Sequence, residues 1–223
     1  RNFLTLIKLQ AQSDVPFERY LFNSVFVTVV VTVAQCIVAS MAAFVLAKCK
    51  FPGNGIINKI IVISLLYNSN VIYIMQYMVM SELNLINTTR ALILPSIASA
   101  MGLFLMRQSM SQVPDAMIEA AKVDGANLFT TCWRIVIPNQ KPALMTMSIF
   151  AFQGAWNIQG GSLVYDEAKK TLPTVVQQAA SAGLARAGVA MAAAVFMLIP
   201  PVVFFMLAQK NVIETMAHSG IKD

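Results

Sequence analysis

Ionised side chains are scarce in this sequence. Of 223 residues only 12% are charged, with 10 acidic residues, 16 lysines and arginines, one histidine and three cysteines. Each scarcity excludes a class of chemistry. The one histidine, His218, stands in the C-terminal tail, so a histidine-based nucleophilic triad has no support. Cys36, Cys49 and Cys132 are far apart and form no CxxC pair, which indicates neither a disulfide framework nor a metal site. There is no phosphate loop of the GxxxxGK type followed by serine or threonine. Gly53-Asn54-Gly55 precedes Lys59 at the wrong spacing, and Gly160-Gly161-Ser162 reads only as a loop tripeptide. No carboxylate pair lies within an apolar run, so an intramembrane acid–base dyad or proton relay is missing as well.

What the sequence has instead is hydrophobic residues, 57% of the total, gathered in runs. That pattern predicts an all-α, polytopic integral membrane protein rather than a large soluble core. Residues 21–47 carry no charge and, at about 1.5 Å per residue, reach roughly 40 Å, enough to cross a bilayer with tilt. Further runs cover 56–80, 91–106 (with a kink expected at Pro95), 142–157 and 189–208, so about five spans are visible. The net charge of +6 comes from basic residues scattered at run ends, which fits membrane flanks and not nucleic acid. Lys48, Lys50 and Lys59 lie together without a nearby acid, marking a cytoplasmic loop. Residues 1–20 are then an extracytoplasmic segment. Residues 21–209 form one transmembrane domain, residues 107–141 a cytoplasmic insert within it, and 210–223 a cytoplasmic tail. A partly inserted helix is expected near 174–181.

The insert has its own internal pattern. Pro114 suits a first helical position. Pro114, Met117, Ile118 and Ala121 share one face, with Asp115, Glu119 and Lys122 opposite. Gly125 is placed to end that helix in a left-handed turn, Asn127 to cap a second, and Pro138 to discourage its continuation. From spacing alone an ordinary loop with helical content remains the better reading of this helix-turn-helix.

The residue order supplies more. Glu119-Ala120-Ala121, three residues, Gly125, nine residues, then Ile135-Val136-Ile137-Pro138 resembles the coupling motif of inner-membrane permease subunits of bacterial ABC importers. Only Ile137 departs, standing where leucine is usual. Ala47-Lys48-Cys49-Lys50-Phe51-Pro52-Gly53, Leu103 to Gln108, Val123-Asp124-Gly125-Ala126, Trp133-Arg134-Ile135, Lys141 to Leu144 and Trp156-Asn157 are similar to the carbohydrate-uptake branch, the maltose-type second permease. The resemblance implies a bacterial inner-membrane, multi-pass, non-catalytic subunit with a cytoplasmic C-terminus and a further span before Arg1, six in all. It implies a second permease, two ATPase subunits that bind ATP and magnesium, and an extracytoplasmic solute-binding protein. This chain itself would hold no cofactor. Glu119, Ala120, Ala121, Asp124, Gly125, Ile135 and Pro138 would form the loop that docks on the ATPase.

Polar groups at membrane depth are the candidates for the solute path: Tyr67, Asn68, Asn70, Tyr73, Gln76, Gln153, Trp156 and Asn157. Amides and hydroxyls hydrogen-bond sugars and aromatic rings stack on them. The same residues serve equally as interhelical hydrogen bonds and an interfacial aromatic belt. The cluster Tyr67-Asn68-Ser69-Asn70 also predicts a broken helix at mid-membrane. An oligosaccharide is the expected cargo. The alternatives are a glycerol-phosphate or polyamine carried by the same machinery, or, in other classes, a channel, an ion-coupled carrier or an intramembrane enzyme.

Overall fold

The computed structural model describes residues 15–66, 69–181 and 187–219, and among them there are helices, turns and loops but no strand, as the expected all-α class requires. The first helix, α1, runs Phe17–Lys48 with Glu18 in its first turn and Lys48 in its last, charges that complement the helix dipole. It begins ahead of residue 21, so residues 17–20 belong to the helix and not to a separate polar segment. Pro16 sets the start, its carbonyl accepting the Arg19 N–H at 3.0 Å.

The run 56–80 is two helices, α2 (Asn54–Ser64) and α3 (Ser69–Glu82), which matches the expected break. Tyr67 and Asn68 lie outside the described residues. The run 91–106 is also two helices, α4 (Arg90–Ile97) and α5 (Ala100–Ser111), where only a kink was expected. Pro95 sits inside α4. The chain parts at 98–99 because Ser99 adopts an extended conformation and caps α5, its Oγ accepting the Gly102 N–H at 3.0 Å.

Beyond these come α6 (Asp115–Val123) and α7, in which Leu128–Thr130, a π-helical stretch Thr131–Val136 and Ile137–Asn139 run on without interruption. After them follow α8 (Lys141–Trp156), a 3₁₀ turn Glu167–Lys169, α9 (Leu172–Ser181) and α10 (Ala187–Ser219). The expected boundary at residue 209 does not exist, since α10 continues through it. By length and apolar composition, Phe17–Lys48 and Arg90–Ser111 suffice to cross a membrane, while Asn54–Ser64 and Ala194–Gln209 are shorter apolar stretches.

The chain forms two compact units. The first gathers the residues up to Thr32, Ser69–Ser96 and Phe152–Phe205. Val27 and Val31 of α1 pack there with Met80, Leu92, Ala155, Leu163 and Val164. Phe22, Val25, Phe26 and Val29 point the other way and are exposed, as are Ile72, Ile74 and Met75 of α3. Burying one such side chain is worth about 1.5–3 kcal/mol, so these faces are stable against hydrocarbon and not against water.

In this unit the segment between α8 and α9 is tied down on all sides. Asn23 Nδ2 donates to the carbonyls of Ala168 (2.9 Å) and Lys170 (3.1 Å), and Ser24 Oγ accepts the Leu172 N–H at 2.7 Å. Asn87, in the left-handed region that asparagine tolerates, donates its N–H to Leu163 (2.7 Å) while its Oδ1 accepts from Asp166 (2.9 Å).

The second unit gathers Val33–Asn68, Ile97–Ala151 and the chain from Met206. Its core is Ala39, Ala43 and Phe44 of α1, Met106 and Met110 of α5, Val113, Ile118, Cys132, Val136, Ile137 and Met147. Gly102 lets α5 and α8 approach closely, since a Cβ there would stand 2.8 Å from Met147 Cε.

Candidate functional site

The polar insert is the better defined of two candidate sites. Pro114 is the cap residue before α6 and not its first helical residue, with an extended ψ of 135°. The restriction on the residue before proline leaves Val113 outside the helix too, where it is buried. Ile118 and Ala121 turn into the core, Met117 is half-buried, and Asp115, Glu119, Ala120 and Lys122 face out, so the amphipathic pattern holds. At the far end the Ala126 N–H donates to Ala121 (2.9 Å) and the Gly125 N–H to Lys122 (3.0 Å). That paired bond requires a left-handed residue, which Gly125 supplies with φ 79°. Asn127 then caps α7 as expected, its Oδ1 accepting the Thr130 N–H at 2.8 Å.

Pro138 does not stop the second helix. The π stretch immediately before it widens the turn where the proline ring would meet a carbonyl, and the helix ends only at Asn139. Asn139 Nδ2 donates to the Ile135 carbonyl at 2.7 Å, and Ser109 Oγ hydrogen-bonds Gln140 Oε1, closing the insert back onto α5.

The seven expected docking residues therefore divide. Glu119, Ala120, Asp124, Gly125 and Pro138 are exposed, Ile135 is half-buried, and Ala121 is a core residue. What composition did not single out is the apolar tip beside them. Val123 is 87% exposed, Phe129 62% and Leu128 53%, with the Phe129 ring leaning on Trp133 at a centroid distance of 6.2 Å. Isolated apolar residues on a polar loop would be unremarkable; three around one turn form a surface suited to a partner.

The start of α6 carries a second unforeseen feature. Lys48 Nζ lies 2.8 Å from Asp115 Oδ1 and also donates to the Val113 carbonyl. The hydrogen bond from Lys48, then its charge, and more weakly the charge of Lys50, hold the Asp115 carboxyl below the ordinary carboxylate range. An open groove of about 430 Å³ runs past this pair, lined by Phe44, Ile118, Glu119, Lys122 and Leu128 among others.

The second candidate is a cleft of about 500 Å³ in the first unit. It brings together Tyr73, Gln76 and Asn157 from the expected path, and adds Ser96, Gln159 and Gln177, which sequence reasoning missed; none of the residues lining it is charged. The Tyr73 hydroxyl is engaged by the loop, hydrogen-bonding Ser162 Oγ at 2.9 Å and accepting the Ser162 N–H at 3.0 Å. Gly160-Gly161-Ser162 is thus more than a loop tripeptide. Gly161 has φ 48°, and a Cβ there would stand 2.5 Å from the Tyr73 hydroxyl. Gln153 is exposed and does not line the cleft, and the side chain of Asn70 lies outside the described residues.

Trp156 is a correction to the expected path. It is 1% exposed, packed with Tyr20 and Leu172, and its indole N–H donates to the Met197 carbonyl at 2.9 Å. Met197 stands four residues before Pro201, which has no N–H to offer that carbonyl. Trp156 replaces the missing donor and so keeps α10 intact across its proline pair.

Lipid-compatible helical faces joined to a polar helix-turn-helix with an apolar tip define a helical membrane protein built to engage a partner through one loop. Residues 17–218 match the model of the family described as binding-protein-dependent transport system inner membrane component, and the chain belongs to that family. It is 33% identical over 164 residues to Protein LplC of Bacillus subtilis (strain 168), a match covering 73% of this chain and 55% of that protein's length. It is 28% identical over 222 residues to the sn-glycerol-3-phosphate transport system permease protein UgpE of Yersinia enterocolitica, covering 93% and 75%. It is 26% identical over 202 residues to the arabinooligosaccharides transport system permease protein AraQ of Halalkalibacterium halodurans, covering 90% and 72%. Among solved structures it is similar to a chain of a bacterial ABC transporter involved in the import of the acidic polysaccharide alginate. There the TM-score is 0.77 at 25% identity, over 92% of this chain and 78% of that one.

Proposed function

We propose that this chain forms one half of the solute path of an ATP-driven importer for a carbohydrate, and couples that path to a separate ATPase through α6 and α7. The observation that carries the reading is the insert: a rigid, capped helix pair that presents Glu119, Asp124 and Gly125 beside the exposed Val123, Leu128 and Phe129. In this reading residues 48–59, 107–141 and the end of α10 are cytoplasmic. Five crossings are made by α1, α2 with α3, α4 with α5, α8, and α10. A second permease completes the path, two ATPase subunits hold ATP and magnesium, and an extracytoplasmic binding protein delivers the solute. This chain carries no catalytic group of its own.

The cargo reading rests on the cleft and on the relatives together. Gln76, Asn157, Gln159 and Gln177 offer donors and acceptors in an uncharged setting, which suits hydroxyl-rich solutes. The arabinooligosaccharide and alginate systems support a glycan. UgpE supports glycerol-phosphate, but a phosphate would call for a fixed cation, and no residue lining this cleft supplies one.

The test is uptake by the reassembled importer. Gly125→Pro locks a dihedral that must be left-handed, and Glu119→Lys reverses the exposed charge on α6. Each variant should still insert and assemble with the second permease, yet lose solute uptake. Normal uptake by both would remove the coupling assignment.

A further inference from the structure

Lys48 is out of place for a lysine that only marks a membrane flank. Lys50 and Lys59 satisfy that role and are exposed. The Lys48 side chain is only 6% exposed, although the Asp115 side chain it meets is 77% exposed. A buried ammonium is tolerated only when its hydrogen bonds are made. Here they are made to two groups that belong to neither α1 nor the lipid: the Val113 carbonyl, in the link after α5, and the Asp115 carboxylate, in the first turn of α6.

One side chain thus joins the last residue of α1 to the base of the docking helix. Phe44 and Ile118 pack in the same core, but apolar contacts slide when helices shift, whereas a cation held by two fixed oxygens does not. We propose that Lys48 is the positioning residue that makes α1 follow α6, so that displacement of the docking helix by the ATPase reaches the solute path as movement of α1. The inference rests on the coupling role given to α6 above. By reciprocity the same junction would carry the signal of an arriving binding protein from the path to the ATPase.

The experiment uses the complete importer in proteoliposomes and reads ATP hydrolysis with and without its binding protein. Lys48→Met keeps the apolar stem and removes the cation. It should still hydrolyse ATP, but the stimulation by binding protein should fall by about 5-fold or more, the lower end of ordinary coupling strengths. Lys48→Arg, which restores a cation able to meet both oxygens, should recover most of the stimulation. Asp115→Asn, which leaves the Val113 bond in place, should fall between the two. Full stimulation in Lys48→Met overturns the inference. So does failure of Lys48→Met to assemble if Asp115→Asn is then stimulated like the parent, because the contact would then only hold the fold. Glu119→Lys separates the two claims. If it too is stimulated normally, the coupling role of α6 fails; if it alone loses stimulation, only the role of Lys48 fails.

Discussion

At the scale of single residues, the structure turns several small features into constraints. Gly161 is held at a positive φ against the Tyr73 hydroxyl, on the rim of the uncharged cleft. Gly161→Ala should therefore lower the thermal stability of the purified subunit by two separable effects. Left-handed strain costs an alanine about 1–2 kcal/mol, and the new methyl group collides with the tyrosine oxygen. Tyr73→Phe removes the oxygen, and with it two hydrogen bonds to Ser162. In the Gly161→Ala background that second change should cost less than it does alone, because it also removes the collision. Additive losses in melting temperature would show that the loop relaxes away from Tyr73 and that the contact is unimportant.

At the scale of elements, Trp156 and α10 make one structural device out of two distant pieces of sequence. Trp156→Phe keeps the ring but leaves the Met197 carbonyl without a donor, a loss of about 1–3 kcal/mol for a buried acceptor. The expected outcome is a lower melting temperature with the solute preference of the importer unchanged; altered preference would return Trp156 to the solute path. This pairing also shows why the sequence was only partly legible. Gly125, Asn127 and the faces of α6 were readable because caps and amphipathic faces depend on neighbours within five residues. The gap between α2 and α3 was readable for the same reason. Trp156 was misread because its partner is a carbonyl freed by a proline 45 positions on (201 − 156). Lys48 looked like a flank marker because its carboxylate lies 67 positions away in another helix. Pro95 and Pro138 were both misjudged, since what happens at a proline depends on whether Ser99 or a π stretch is there to accommodate it.

At the scale of the whole molecule, the proposed topology places Lys122 on one side of the membrane and Tyr165 on the other, and both are exposed. With Cys36, Cys49 and Cys132 replaced, an impermeant thiol reagent on intact cells should label Tyr165→Cys and spare Lys122→Cys. The reverse pattern would invert the protein in the bilayer and remove the coupling loop from the ATPase side. The apolar tip at Val123, Leu128 and Phe129 has a bearing on the life of the protein before it is assembled. Until a partner covers them, these side chains are the same signal that chaperones and quality-control proteases read on a misfolded chain. A subunit made in excess of its ATPase carries its own mark for disposal. Pulse-chase labelling should show a shorter half-life without the ATPase than with it, and equal half-lives would deny the mark. Stoichiometry would then be kept by removal of orphans and not by matched synthesis.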